Sequence, residues 1–169
     1  VIFTMNATHA LNIAIKSLVK KDDRVVISGY EHNAVTRPLV AVGADIAVAG
    51  APLFQPESAL EPFDHLITPG TRAVVCNHVS NVFGFIQPIE EIGKICRQRS
   101  VPLIVDASQS AGILPLDWEK VGACFIAAPG HKGLYGPQGT GLLICSEDAE
   151  VRTLMEGGTG SASLDQKMP

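Results

Sequence analysis

The sequence contains no C-x-x-C pair, no apolar run long enough to cross a membrane and no cluster of basic residues. Each absence removes a class of function. Cys76, Cys96, Cys124 and Cys145 stand far apart. That argues against a disulfide framework or a structural zinc site and makes a reducing cytoplasm the default location. Cys76 and His78 occupy alternate positions of one expected strand. No third and fourth ligand follows at a suitable spacing, so no metal centre is expected. A formal net charge of −4 without a basic patch argues against nucleic acid as the main partner, and the lack of a spanning run argues against a membrane. Neither G-x-G-x-x-G after a first strand nor G-x-x-x-x-G-K occurs, which leaves a nicotinamide oxidoreductase or a nucleotide-binding reading weak. No secretory leader is recognised. Val1–Thr4 reads as a strand and the chain closes on a polar, glycine-rich tail at Pro169, so a fragment of a larger structure is the expectation.

What is present is apolar. Hydrophobic residues make up 46% of the 169 positions and the mean hydropathy is +0.23. In a single domain of this length, that excess points to strands buried on both faces. Short apolar runs at 1–4, 24–28, 45–49, 72–77, 102–106, 123–127 and 142–145 read as strands. Between them, helices are expected from Asn6 as an N-cap through Val19, over 33–42 with Pro38 weakening the middle, and over 89–99 with Pro88 at the start. A short helix is expected near Trp118, another around 63–67 within a proline-rich loop, and a last one from Glu147 to Met155. Alternation of this kind gives an α/β fold, a mainly parallel sheet with helices on both faces.

In such sheets ligands bind beyond the carboxyl ends of the strands, and five expected ends carry polar groups. Asn6-Ala7-Thr8 opens a helix and offers free backbone N–H groups to a phosphate. Glu31-His32-Asn33 follows the second strand. Ser80-Asn81, Asp106 with Gln109, and His131-Lys132 follow three others. The richest segment is Ala128 to Gly141, in which glycines flank Lys132. A lysine held at the end of a buried strand can be partly desolvated, which frees its amine to attack a carbonyl. Taken singly, each feature has an ordinary explanation: an N-cap, a turn, a solvated loop lysine, a flexible Gly157–Ser161 tail. Their convergence on one sheet edge is the specific signal.

The blocks Phe3-Thr4-Met5-Asn6-Ala7-Thr8-His9-Ala10-Leu11-Asn12, Glu31-His32-Asn33-Ala34, Val79-Ser80-Asn81-Val82-Phe83-Gly84, Val105-Asp106-Ala107-Ser108-Gln109-Ser110-Ala111-Gly112 and Gly130-His131-Lys132-Gly133-Leu134-Tyr135-Gly136-Pro137-Gln138-Gly139-Thr140-Gly141 occur in that order. Together they resemble the class V aminotransferases, in particular the cysteine desulfurase group, over nearly the whole chain. The resemblance implies the large-domain fold of enzymes that use pyridoxal 5'-phosphate, with residues 1–169 as one truncated cofactor-binding domain lacking an N-terminal segment and a C-terminal small domain. It implies roles at matched positions. Lys132 would be the Schiff-base lysine and proton carrier, Asp106 the partner of the pyridinium nitrogen, and His32 the stacking ring. Asn81 and Gln109 would contact the phenolic oxygen. Ala7 through its N–H, Thr8 and His131 would hold the phosphate, and Thr159 would reach the phosphate of the other subunit in a homodimer. The implied reaction turns a small amino acid, cysteine, into alanine and leaves a persulfide on the enzyme, to be passed to a sulfur acceptor protein.

Two departures stand out. Pro129 occupies the position where many desulfurases have serine, so one hydroxyl ligand is lost. The family's nucleophilic cysteine and carboxylate-binding arginine lie in a C-terminal part that has no counterpart here, so this chain alone is expected to be inactive. A selenocysteine lyase, an aminotransferase of the same class and a non-catalytic α/β module that binds no cofactor are the alternatives.

Overall fold

The structure is a computed structural model, and it describes residues 1–157. Seven strands form one sheet: β1 (Ile2–Thr4), β2 (Arg24–Ser28), β3 (Asp45–Ala49), β4 (Thr71–Asn77), β5 (Leu103–Asp106), β6 (Phe125–Pro129) and β7 (Gly141–Cys145). Their spatial order is β1-β7-β6-β5-β4-β2-β3. β7 is antiparallel to both its neighbours, and the other ladders are parallel. Reversing β7 alone leaves β1 running with the rest, so six strands end at one edge. The registers align those ends: Thr4 with Gly141, Gly141 with Pro129, Asp106 with Ala127, and Asn77 with Asp106.

Helices cover both faces, as the alternating pattern predicts. On one face, α1 (Ala7–Leu18) and α2 (Asn33–Val42) bury Leu11, Ile15, Val35 and Leu39 against Val25, Val75, Ile104 and Phe125. On the other, α3 (Leu60–Leu66), α4 (Ile89–Gln98) and α5 (Trp118–Val121) bury Phe63, Ile92, Cys96 and Val121 against Val26, Val74, Leu103 and Ile126. Successive strand residues thus feed opposite cores, which is why the strands read as continuous apolar runs. α2 runs through Pro38 and stops at Gly43, whose φ of 81° places it in the left-handed region and whose N–H reaches the carbonyls of Leu39 and Val40.

Two expectations change. The helix expected over Glu147–Met155 does not form. Ala149 and Leu154 pack on the α1–α2 core while Val151 and Met155 face solvent, too thin a stripe to bury a helix there. The segment runs across α1 instead, with the Arg152 N–H donating to the Ser17 hydroxyl at 2.9 Å. β6 also lies two residues later than expected, running from Phe125 to Pro129, with the Cys124 N–H donating to the Leu103 carbonyl just ahead of it. Its carboxyl end is therefore Pro129, next to Gly130-His131-Lys132. Among the described residues no helix is long and apolar enough to cross a membrane.

Candidate active site at the carboxyl edge of the sheet

A cavity of about 220 Å³ opens at the aligned strand ends. Asn6, Ala7, Thr8, His32, Asn81, Asp106, Gln109, His131 and Lys132 all line it, joined by Ala34, Asn77, Val79, Ser108 and Pro129. Every candidate site residue except Thr159 is therefore brought together; Thr159, like the rest of the glycine-rich tail beyond Gly157, lies outside the described residues.

One end of the candidate site is the start of α1. Asn6 is extended, and its Oδ1 accepts the His9 N–H at 2.8 Å, so the side chain caps one orphan donor. The N–H groups of Ala7 and Thr8 precede the first intrahelical bond, Ala10 N–H to the Asn6 carbonyl. They have no acceptor among the described residues, and no acidic side chain sits in the first turn. Such an end binds anions. Gly141 lets it approach β7 closely: a Cβ there would lie 2.8 Å from the Asn6 carbonyl carbon.

The floor is made by β4 and β5. Asp106 is 5% exposed, and its Oδ1 accepts from the Ser108 N–H at 2.9 Å and from the Ser108 hydroxyl. Oδ2 takes no hydrogen bond among the described residues, so the carboxylate is fixed at one oxygen and available at the other. Beside it, Asn77 is 3% exposed and its Nδ2 donates to the Tyr30 carbonyl at 2.6 Å.

The rim differs from the sequence expectation. Lys132 is exposed, not partly desolvated. The glycine segment is the loop of a β6–β7 hairpin, closed by Gly130 N–H to the Thr140 carbonyl at 2.8 Å and Gly136 N–H to the Gly130 carbonyl at 2.7 Å. It carries the lysine out beyond the strand end, where residues 1–157 supply no cover. The loop is nevertheless pinned to the segment after Asp106: a Cβ on Gly112 would lie 2.3 Å from the Gly133 carbonyl oxygen, and one on Gly133 would lie 2.4 Å from that of Ala111. His32 is exposed and caps α2, its Nδ1 accepting the Ala34 N–H at 3.0 Å. Asn81 and His131 are likewise exposed.

Glu31 was not singled out by its spacing. Its carboxylate is enclosed although the residue as a whole is only half-buried. Oε1 accepts from the Ser28 hydroxyl and from the Asn77 N–H at 2.8 Å, while Oε2 is buried without a partner among the described residues. Burial pushes this carboxyl up to about 8; the bonds from Ser28 and Asn77 oppose the shift and the charge of Asp106 adds to it. Ser108 and Asn77 were also missed as site residues. A tight turn and a buried strand end leave little trace in residue order.

No cysteine lines the cavity. Burial raises all four thiols: Cys76 well above its ordinary range, Cys96 to about 12, and Cys124 and Cys145 in the same direction. The arrangement can hold a flat anionic ligand by its phosphate, face a ring nitrogen with Asp106 and present an amine to a carbonyl.

The profile of the family described as aminotransferase class-V matches residues 1–167. A probable cysteine desulfurase of Methanothermobacter thermautotrophicus is 37% identical over 166 residues, covering 94% of this chain and 41% of that protein. The cysteine desulfurase IscS of Shewanella denitrificans is 33% identical over 171 residues, with the same coverage of 94% and 41%. The apo structure of a cysteine desulfurase from Thermococcus onnurineus NA1 matches with a TM-score of 0.76 at 32% identity, over 87% of this chain and 38% of that one. The chain thus spans about two fifths of the length of the curated relatives it matches.

Proposed function

This chain belongs to the aminotransferase class-V family, and from that premise we propose that residues 1–169 are the cofactor-binding part of a longer cysteine desulfurase that uses pyridoxal 5'-phosphate. The observation that carries the reading is the single cavity holding the start of α1, Asp106, His32 and Lys132 at one sheet edge. The donor set fits the cofactor. Unpartnered N–H groups at a helix start suit a phosphate, an anchored carboxylate suits a pyridinium nitrogen, and a lysine suits an aldehyde.

Bound there, pyridoxal phosphate supplies an electron sink for the pair left on a substrate's α-carbon when its proton departs. The rest is the work of the chain. Ala7 and Thr8 offer N–H groups, and Thr8 a hydroxyl, to the phosphate, with His131 beside them. Asp106 would hold a proton at the ring nitrogen through Oδ2, while Ser108 fixes Oδ1. Lys132 would hold the cofactor through its amine, which is also the base that would take the proton from the substrate's α-carbon. His32 would cover the ring, and Asn81 and Gln109 would meet its phenolic oxygen. The loss of a hydroxyl at Pro129 leaves the phosphate more dependent on the helix start. The thiol that takes sulfur from cysteine must come from outside these residues, because all four cysteines here are away from the cavity and held as thiols. A homodimer in the cytoplasm, with Thr159 reaching the partner's phosphate and a protein as sulfur acceptor, completes the proposal. The relatives' names favour a desulfurase over a selenocysteine lyase or an aminotransferase.

The test is an absorbance spectrum of the full-length protein with pyridoxal phosphate, before and after borohydride, beside Lys132→Ala. A band trapped covalently in the wild type and absent from the variant is the expected result. No band in either would overturn the reading in favour of a non-catalytic module. The 169-residue chain by itself should form no persulfide from cysteine; persulfide formation by it would show that the thiol lies within.

A further inference from the structure

Behind the floor of the cavity lies a carboxyl group to which the mechanism above gives no task. Glu31 sits between β2 and α2 with its carboxylate enclosed. All the donors it receives converge on one oxygen: the Ser28 hydroxyl and the Asn77 N–H both go to Oε1. Oε2 is equally buried and receives nothing among the described residues. A charged carboxylate spreads its charge over two oxygens, and here one of them is enclosed with neither donor nor cation to meet that charge, so the neutral acid is the form this pocket holds at lowest cost. The titratable groups that face Glu31 are Cys76 of β4 and Asp106 of β5, both acids, and no lysine or arginine among the described residues pairs with it. Asn77 ties it to the site. This residue lines the cavity, lies opposite Asp106 in the β4–β5 ladder, and gives its backbone N–H to Glu31.

We propose that Glu31 is a positioning residue whose enclosed carboxyl carries a proton beneath the cavity, so that Asp106 is the single negative charge on the floor of the site. This rests on the functional reading above for its consequence, though not for the proton itself. With Glu31 neutral, the floor offers one carboxylate to the ring nitrogen, and the phosphate at the start of α1 meets no second negative charge. Once Glu31 ionises, that second charge appears beside Asp106. It opposes binding of the phosphate and strengthens the hold on any cation in the site.

Burial places the ionisation near pH 8, which sets the window of the experiment. In the full-length protein without ligand, infrared difference spectra across that pH should show the carbonyl band of a protonated carboxylic acid disappearing. The same band should be missing from Glu31→Gln, which keeps an acceptor at Oε1 and cannot ionise. In parallel, binding of pyridoxal phosphate is measured on either side of that pH. The wild type should lose affinity several-fold more than Glu31→Gln as pH rises. Should the variant fail to fold, the wild-type band and its loss with pH decide the point alone. A wild type without the acid band, or a variant that keeps it or shows the same pH dependence of binding, overturns the proposal. Absence of binding at every pH, with the acid band present, would instead overturn the functional reading and leave the proton on Glu31 standing.

Discussion

At the floor of the cavity Asn77 and Asp106 are 3% and 5% exposed and anchored by hydrogen bonds, whereas at the rim Lys132, His131, Asn81 and His32 all face solvent. The floor inherits its geometry from strand register. Asn77 lies opposite Asp106, and Asp106 opposite Ala127, because the apolar residues below them interleave with two cores. The rim inherits its geometry from glycine contacts and helix caps, which hold position without burial. Under the proposed function, the groups whose work depends on a fixed field would thus sit where folding energy is greatest, and the lysine that would attack and carry a proton would sit where motion is cheap.

The largest effect that can break this division is in the core under the floor. Phe125, fully buried in β6, should cost about 3–5 kcal/mol of stability when changed to alanine. Lys132→Ala should change stability by less than about 0.5 kcal/mol while abolishing borohydride trapping. Chemical denaturation of the two full-length variants measures both. A Lys132→Ala protein as unstable as the Phe125 variant would mean that rim and floor are not separate.

Next comes pH. Folded, Glu31 keeps its proton to about 8; unfolded, it loses it near its ordinary value of 4.5. Between those values folding takes up a proton. The stability tied to Glu31 is complete below the lower value and is lost as pH rises to the upper one, by up to about 1.4 kcal/mol per pH unit. Subtracting the stability profile of Glu31→Gln from that of the wild type isolates this slope. A flat difference would mean that Glu31 is charged in the folded protein.

A smaller effect separates crowding from backbone strain at the rim. Gly112 and Gly139 both have φ of 80°, but a Cβ on Gly112 meets the Gly133 carbonyl oxygen at 2.3 Å and one on Gly139 meets nothing within 4 Å. Gly139→Ala should cost about 1–2 kcal/mol for the left-handed backbone alone. Gly112→Ala should cost about 1–3 kcal/mol more, since the neighbouring backbone must move, and it should lower the extent of covalent trapping because Lys132 immediately precedes Gly133. Equal behaviour of the two variants would remove the loop contact as the device that places the lysine.

Much of this was legible in residue order, for a physical reason. Strands buried on both faces write themselves as Val25-Val26-Ile27, Val74-Val75-Cys76 and Leu103-Ile104-Val105, and the polar residues that interrupt such runs mark their carboxyl ends. Asp106 and the Asn6 cap were visible for that reason. Glu31 was not: a glutamate in a turn is ordinarily solvated, and only the Ser28 and Asn77 contacts, made across two strands, enclose it. The exposure of Lys132 was hidden because the length and closure of the 130–140 loop depend on backbone bonds that any residue can make. The failed helix over 147–155 has helix-forming residues but too little apolar surface to hold it against the core, and tertiary packing decided against propensity.

The smallest effect lies at the cap of α1, where stability and ligand binding can be pulled apart. Asn6→Ala removes the acceptor of the His9 N–H at 2.8 Å and should cost about 1 kcal/mol in chemical denaturation. Asn6→Asp keeps that acceptor and adds a negative charge at the positive end of the helix, which should leave stability unchanged or raised by about 0.3–1 kcal/mol. If the unpartnered Ala7 and Thr8 N–H groups hold a phosphate, that same charge repels it, and the aspartate variant should bind pyridoxal phosphate more weakly than the alanine variant despite being the more stable protein. Binding that instead follows stability, with the aspartate variant the tighter, would mean that the start of α1 serves only the fold and that the phosphate is held elsewhere on the rim.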